Sequence, residues 1–498
     1  MNVNPITRLD YPDLDVIRVE DTYYMVSTTM HFMPGCEILQ SFDLVHWEHA
    51  TYVYETLDHT DAQQLKSGQN IYGQGMWAAS LRYHEGRFYI CFVANDTRKT
   101  YLYTSEKIDG PWKKQLIEGF YHDGSLLFDE DGRNYIVYGN DEIWITELNE
   151  DLTAPKKDGL HRLLVSDHKN PELGYEGSHI QKINGYYYIF LIHSLRDRWM
   201  RTEACFYSDS LEGEFTGGDV LCDDRGYCGQ GVAQGGIVDT PDGKWYAMLF
   251  QDSGAVGRIP ILLPVTWKDH FPVFGQNGHV PEEIEVHSTR PGYIYQPLVG
   301  SDDFCNGLLP RWQFNHDPDP RYYHLDALQG TYTITTREVC TELTQAVNTL
   351  TQRMSYPSCA AEVTVDASAL KEGDVAGLCA LQGCYAAVGI TKHHGKYEVL
   401  MLDKKEDGIL DMTEGTVVES HQMDFRLEAD FCNMKDEARC YYRVNKGDWL
   451  PIGTVHKLYF KLDHFTGCRF GLFCYAAEET GGSACFRDFK YYDVDEIS

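Results

Sequence analysis

The 498-residue chain has no long apolar run, no Cys-x-x-Cys pair and few basic residues. No stretch reaches the roughly 20 apolar residues that a membrane-spanning helix needs. The first residues, MNVNPITRLD, lack the basic and apolar parts of a secretory signal, so we expect a cytoplasmic protein. The 15 cysteines are an odd number without metal-ligand spacing. This favours free thiols in a reducing compartment over a disulfide framework or a zinc site.

The scarcity of positive charge limits the partners. Lys and Arg number 43 against 75 Asp and Glu, a formal net charge of -32. Nucleic acids and anionic membranes bind basic surfaces, so we exclude both and expect a neutral small substrate. The length predicts two domains rather than one core. The 34 tyrosines and 44 glycines favour β-structure with many turns.

A short motif recurs five times in the first half of the chain. It begins with an acidic or Asn residue, usually followed by glycine, and ends with a tyrosine and an apolar run: EDTYYMV (Tyr24), EGRFYICF (Tyr89), DGRNYIVY (Tyr135), NGYYYIFL (Tyr188) and DGKWYAML (Tyr246). Each copy is typical of a tight hairpin turn before a buried strand. Unrelated hairpins in a sandwich are the alternative, but their turns recur every ~8–12 residues. The wider spacing here predicts a five-bladed β-propeller.

Counting back 11 or 12 residues from each tyrosine reaches Asp13, Trp77, Asp123, Glu176 and Gln234. If the blades are equivalent, these residues share one structural position. The innermost strands of a propeller line its central channel. The sequence therefore predicts three carboxylates, an indole and an amide at the mouth of that channel.

Clustered carboxylates raise one another's proton affinity, so one can stay protonated while another stays a base. Glycoside hydrolysis needs such a pair. Trp77 would offer a flat face to a sugar ring, or it packs between blades. A structural calcium ion is the alternative use of the cluster, although calcium needs more oxygen donors than an indole and an amide supply.

Four stretches resemble glycoside hydrolase family 43: YPDLDVIRVEDTYYMVSTTMHFMPGCEILQSFDLVHWE, GMWAASLRYHEGRFYICF, HDGSLLFDEDGRNYIVYG and YEGSHIQKINGYYYIF. The resemblance covers about residues 4–290. It implies a five-bladed propeller with β-xylosidase, α-L-arabinofuranosidase or arabinanase activity. Residues 300–498, which start SDDFCNGLLP, look like the β-sandwich that many members carry after the propeller.

The resemblance also implies roles for the carboxylates and inversion of the anomeric centre. Asp13 matches the general base, although Leu14 stands where the family usually has Pro. Asp123 matches the residue that tunes and orients the acid, and Glu176 matches the general acid. The residues expected to bind substrate are Met30, Phe32, Trp77, Gln234 and Arg258. For Arg258 the alternative is a structural salt bridge.

Two positions depart from the family pattern. Gln234 and Ser253 stand where many relatives carry histidine, so no metal ligand follows from the resemblance, no cofactor is required, and a structural Ca²⁺ at the propeller axis stays an alternative. Three histidines near the motifs are expected to support the site by hydrogen bonds rather than bind metal: His31, His122 and His179.

Together these features predict an all-β protein, with a propeller over residues 1–298 and a concanavalin-like jelly-roll sandwich over residues 299–498. The second half has alternating runs such as AAEVTVDA and YAAVGITK, and few aromatic platforms. We therefore expect it to buttress the propeller and lend a loop to the active-site rim, with carbohydrate binding as the alternative.

The function that follows is an inverting exo-glycosidase that releases terminal β-D-xylose or α-L-arabinofuranose from oligosaccharides derived from xylan or arabinan. A non-catalytic sugar-binding propeller and an arabinanase or galactanase specificity are the alternatives. The retaining, invertase-like lineage uses an Asn-Asp-Pro motif, which YPDLD does not match.

Overall fold

The computed structural model describes residues 2–493, and these residues fold almost wholly into β-strands. Within that range the only helices are short 3₁₀ turns, η1 (Lys66–Gly68), η2 (Gly254–Val256), η3 (Leu343–Gln345) and η4 (Cys432–Met434). No helix of the described residues is long and apolar enough to cross a membrane. All fifteen cysteines are free, as the sequence predicted.

The first half contains β1 (Asn2–Val3), β2 (Asp15–Val19), β3 (Thr22–Ser27), β4 (Phe32–Met33), β5 (Gly35–Ser41), β6 (Glu48–Tyr54), β7 (Met76–His84), β8 (Arg87–Ala94), β9 (Lys99–Ser105), β10 (Lys113–Ile117), β11 (Ser125–Phe128), β12 (Asn134–Asn140), β13 (Glu142–Leu148), β14 (His161–Ser166), β15 (Glu176–Ile183), β16 (Tyr186–Ser194), β17 (Arg201–Ser208), β18 (Thr216–Leu221), β19 (Val232–Asp239), β20 (Trp245–Asp252), β21 (Arg258–Lys268), β22 (Phe271–Phe274) and β23 (Glu283–Ile284).

These strands form five antiparallel four-stranded sheets, or blades. Blade I is β2-β3-β5-β6, blade II β7 to β10, blade III β11 to β14, blade IV β15 to β18 and blade V β19 to β22. The first strands of successive blades contact one another and close a ring, since β19 contacts β2. Each repeated tyrosine lies in the second strand of its blade. The predicted five-bladed propeller is confirmed.

The equivalent position on the inner strands differs from the predicted one in two blades. The turn before the repeated tyrosine is one residue longer in blades III and V than in the others. When the blades are aligned by the pairing of their first and second strands, five residues with positive φ fall at one equivalent position. They are Asp13 (51°), Ala78 (29°), Asp123 (48°), Gly177 (64°) and Gln234 (63°). The predicted register is therefore wrong by one residue for Trp77 and Glu176, which precede this position.

The second half contains β24 (Gln313–Asn315), β25 (Tyr323–Asp326), β26 (Thr331–Thr335), β27 (Leu350–Arg353), β28 (Ser358–Asp366), β29 (Val375–Leu381), β30 (Ala386–His393), β31 (Lys396–Lys404), β32 (Leu410–Met412), β33 (Thr416–Val418), β34 (Gln422–Asp430), β35 (Glu437–Val444), β36 (Leu450–Lys457), β37 (Arg469–Tyr475) and β38 (Ser483–Asp493).

Two sheets share these strands and pack face to face around a core that includes Val388, Phe425 and Leu472. One sheet has the order β32-β31-β30-β29-β37-β27-β24-β4, with β33 also on β31, and the other has β25-β26-β38-β28-β34-β35-β36. Strand β4 comes from the propeller, where Met33 pairs with Phe314 of β24. The sandwich sheet thus crosses into the propeller and fixes the two halves together.

A group of buried rings, called here the interface cluster, lies where the halves meet. It consists of His31 and Tyr72 from the propeller and His316 and His464 from the sandwich. The ring of Tyr72 stacks on that of His464 at 3.9 Å, and the rings of His31 and His316 lie 4.7 Å apart. Burial lowers the pKa of all three histidines, that of His464 to about 3. His31, expected to support the site, instead packs in this cluster.

Candidate active site

A cavity of about 560 Å³ opens at the mouth of the propeller channel, and residues from all five blades and from the sandwich line it. Asp13, Asp123 and Glu176 all reach this one cavity. The structure therefore brings together the three carboxylates that the sequence singled out, from blades I, III and IV.

Asp13 is anchored at both carboxylate oxygens. Arg258 Nη1 donates to Oδ1 at 2.6 Å, and Thr28 Oγ1 donates to Oδ2 at 2.7 Å. The backbone before it is fixed as well, because Ser27 Oγ donates to the carbonyl of Pro12 at 2.7 Å. Blade V thus supplies the cation that holds the blade I carboxylate.

Asp123 occupies the equivalent backbone position in blade III, but its surroundings differ. Its Oδ2 accepts the backbone N–H of Gly177 at 2.8 Å. Burial raises the pKa of Asp123 to about 6, the negative charges of Glu176 and Asp13 act in the same direction, and His122 opposes them. Glycine fits at residue 177 because a Cβ there would lie 2.7 Å from the Gln234 side chain.

Glu176 begins β15 and stays more open to solvent than the two aspartates. Its side chain is 22% exposed, against 7% for Asp123 and 9% for Asp13. Asn140 Nδ2 donates to Glu176 Oε2 at 2.9 Å. The carboxyl therefore projects into the cavity with one fixed oxygen, where it can exchange a proton with a bound molecule.

His122 lies between the carboxyls of blades III and IV. Its Nε2 is 3.5 Å from Asp123 Oδ2 and 3.8 Å from Glu176 Oε2. The charge of Asp123 raises the pKa of His122 to about 9; burial opposes this, and Glu176 adds to it. These three side chains are close enough to surround a metal ion. The imidazole of His122 can take part only as a neutral ligand, so a metal ion would have to compete with the proton for its nitrogen.

Three of the five predicted substrate-binding residues line the cavity: Trp77, Gln234 and Arg258. Arg258 binds Asp13 through one nitrogen, while its Nε and Nη2 find no hydrogen-bond acceptor within residues 2–493. The salt bridge foreseen as the alternative role of Arg258 is therefore present, and its two other donor nitrogens are buried.

Met30 and Phe32 are not on the cavity wall, and their predicted place there is wrong. Both are almost fully buried. Met30 pairs with Met76 through its backbone, and the Phe32 ring lies under the Arg469 guanidinium at 3.5 Å. The reason is β4, whose pairing with the sandwich turns this segment into the interface between the halves.

The sandwich contributes a loop, residues 460–465, to the cavity rim. Phe460, Leu462 and Phe465 line the cavity. The Phe465 ring lies 5.4 Å from the Trp77 ring and 4.5 Å from the Arg258 guanidinium. A loop at the rim was expected, but no pattern in the sequence identified these residues, nor Asn140, Trp199 and Arg201 on the opposite walls.

The guanidinium of Arg82 occupies the propeller axis below the carboxylates. Arg82 Nη1 donates to Asp15 Oδ2 at 2.7 Å, and His179 Nδ1 lies 3.1 Å from Asp15 Oδ1. Arg82 also donates to Ser125 Oγ at 2.7 Å and to the carbonyl of Ile180 at 3.2 Å, so it links blades I to IV.

The donors at this axis do not fit calcium. Calcium takes six to eight oxygens, whereas the carboxylates there are engaged by Arg82, His179, Arg258 and backbone N–H groups. The space beneath Gln234 is about 10 Å³, room for a single water. His179 is a hydrogen-bonding partner of Asp15, in the supporting role expected of it.

Comparison with known proteins assigns a family model to each half of the chain. The model for glycosyl hydrolases family 43 matches residues 3–272, and that for the beta xylosidase C-terminal concanavalin A-like domain matches residues 301–492. A curated β-xylosidase of Formosa agariphila is 26% identical, over 99% of this chain and 89% of that protein. The predicted family resemblance and the sandwich type are confirmed.

Solved structures agree. A bifunctional GH43-CE protein of Bacteroides eggerthii superposes with a TM-score of 0.91 at 42% identity, over all of this chain. This chain spans 64% of that protein's length. A glycoside hydrolase whose engineered active site displays both endo-xylanase and exo-arabinofuranosidase activity superposes with a TM-score of 0.88 at 27% identity, over 99% of both chains.

Proposed function

Since this chain belongs to glycosyl hydrolases family 43, we propose that it is an inverting exo-glycosidase that removes terminal β-D-xylose or α-L-arabinofuranose from oligosaccharides of xylan or arabinan. The observation that carries the proposal is the convergence of Asp13, Asp123 and Glu176 on one cavity. Two of the relatives named above, the β-xylosidase and the engineered enzyme with endo-xylanase and exo-arabinofuranosidase activity, support a pentose as the released sugar.

Each carboxylate has a distinct part in the proposed reaction. Glu176 gives its proton to the glycosidic oxygen, and the bond from that oxygen to the anomeric carbon breaks. Asp13 takes a proton from a water molecule, whose oxygen bonds to the opposite face of the same carbon, so the configuration inverts. Asp123 places a negative charge near Glu176 and holds the backbone of Gly177 beside it.

The shape of the cavity supports release from chain ends. Phe460, Leu462 and Phe465 of the sandwich rise over the side where Trp77 lies. A sugar bound against Trp77 would be enclosed on one side by this loop, so a polysaccharide chain could not extend past the bound sugar at both ends. Trp77 lines the cavity and offers its indole face to a sugar ring.

The replacement Glu176→Gln tests the proposal. We expect kcat on xylobiose to fall by about 10³-fold, because an unactivated leaving group needs the proton. An activated dinitrophenyl xyloside or arabinofuranoside should lose far less, since its leaving group departs without protonation. The matched control is Glu172→Gln, an exposed glutamate four residues earlier in the chain. Equal losses on both substrates, or none, would refute the role of Glu176.

A further inference from the structure

His122 projects into the cavity from the same structural position that holds Glu176 in blade IV. In each blade this position directly precedes the residue with positive φ, and it is filled by Pro12, Trp77, His122, Glu176 and Ala233. Trp77, His122 and Glu176 all line the cavity. The innermost strands of the propeller therefore place the imidazole of His122 beside Glu176, the proposed proton donor.

We propose that His122 is a positioning residue whose imidazolium, held between Asp123 and Glu176, orients the proton donor and sets the upper pH limit of its activity. This inference rests on the proposed function of Glu176. The inference adds a cationic residue to the three carboxylates and the water molecule of the proposed reaction.

Distances and charges support this role. His122 Nε2 lies 3.5 Å from Asp123 and 3.8 Å from Glu176, and Asn140 holds the same oxygen of Glu176 at 2.9 Å. Asp13 adds a third negative charge to the surroundings of the imidazole. Trp77, whose ring lies 6.2 Å away, and Asn140 are neutral. The other charged residues that line the cavity are Arg201, which pairs with Asp252 at 3.0 Å, and Arg258 and Lys461.

The electrostatics give the direction of the effect. Transfer of the proton from Glu176 leaves a third negative charge beside those of Asp13 and Asp123, and these charges repel one another. A cation within 4 Å of Glu176 counters this and favours release of its proton to the substrate. It also stabilises the carboxylate that is left after the transfer. The pKa of His122, raised to about 9, keeps that cation in place at neutral pH.

The replacement His122→Gln tests the proposal, because glutamine puts a neutral amide near the position of Nε2. We expect the alkaline limb of the pH profile of kcat/KM to move up by about one pH unit. The replacement His122→Lys keeps a positive charge and should hold the limb nearer to that of the unmodified protein. The control is His168→Gln, an exposed histidine beyond the last strand of the same blade. An unmoved limb in a folded His122→Gln protein would overturn the proposal.

A second measurement does not depend on activity. In protein labelled with ¹³C-histidine, the signal lost in His122→Gln identifies His122 by NMR. We expect this signal to stay in the protonated form at pH 8, and the additional change Glu176→Gln to lower its titration midpoint. A midpoint near 6.5, the usual value for histidine, would contradict the proposal. If Glu176→Gln leaves hydrolysis intact, the proposed function fails instead, so the two failures are distinguishable.

Discussion

The pKa of histidine is raised in the cavity and lowered in the interface cluster. His122 in the cavity faces carboxylates, and its pKa rises to about 9. His464 in the interface cluster is fully buried beside Tyr72 and two other histidines, and its pKa falls to about 3. Burial opposes the charged form in both places. The charges of Asp123 and Glu176 outweigh it at His122, whereas the charge of Asp463 does not outweigh it at His464. The cavity thus favours a charged histidine, and the interface cluster favours neutral ones.

This contrast predicts that residues of the two regions fail in different ways when replaced. A cavity carboxylate should control the rate of reaction, whatever its replacement costs in stability. An interface histidine should control stability in acid and have little effect on rate. Single replacements in each region test this difference.

The replacement Asp13→Asn should give the largest effect. We expect kcat to fall by about 10³-fold, because an amide cannot take a proton from water. The thermal unfolding midpoint reports whether the fold is kept. The control is Asp21→Asn in the same blade, which removes only an ion pair with Arg290, both side chains of which are more than 40% exposed. A variant that keeps more than a tenth of the activity would show that the cavity charge at Asp13 is not used in the reaction.

The replacement His464→Gln should make the protein less sensitive to acid. The pKa of His464 in the folded protein lies below its unfolded value near 6.5. The unfolded state therefore binds the proton first, and stability is complete above about pH 6.5 and lost as the pH falls toward 3. At pH 5 this loss amounts to about 2 kcal/mol for one histidine. Glutamine does not titrate, so the variant should lack it.

Urea unfolding at pH 7 and pH 5 measures this difference. The quantity to compare is the change in unfolding free energy between the two pH values, because the lost stacking on Tyr72 lowers stability at both. His168→Gln, at an exposed position, should keep the full acid sensitivity. We expect kcat of His464→Gln at pH 7 to stay within about twofold of the unmodified protein. Equal acid sensitivity in both variants would show that the interface tolerates charge.

The sequence predicts the contents of the cavity better than those of the interface. The repeated tyrosines identify the blades, and the family motifs identify Asp13, Asp123 and Glu176, because propeller strands return to the axis at regular intervals. The offset of Trp77 and Glu176 was missed because turn length varies by one residue. Met30 and Phe32 were misplaced because β4 pairs with a strand some 280 residues later, and local sequence does not encode such long-range pairing.

The loop from residue 460 to 465 joins the two regions, since His464 packs in the interface cluster and Phe465 faces the cavity. The replacement Phe465→Ala should raise KM about tenfold, because the ring contacts the Arg258 guanidinium at 4.5 Å and walls the sugar site. We expect kcat and acid sensitivity to change little, unlike in His464→Gln. Leu328→Ala, in the sandwich at a side chain that is 96% exposed and outside the cavity lining, is the control. Steady-state kinetics on xylobiose, beside urea unfolding at both pH values, would show whether the boundary between the regions falls between these adjacent residues. If Phe465→Ala instead loses acid sensitivity, the loop acts as one unit, and the two regions are coupled through it.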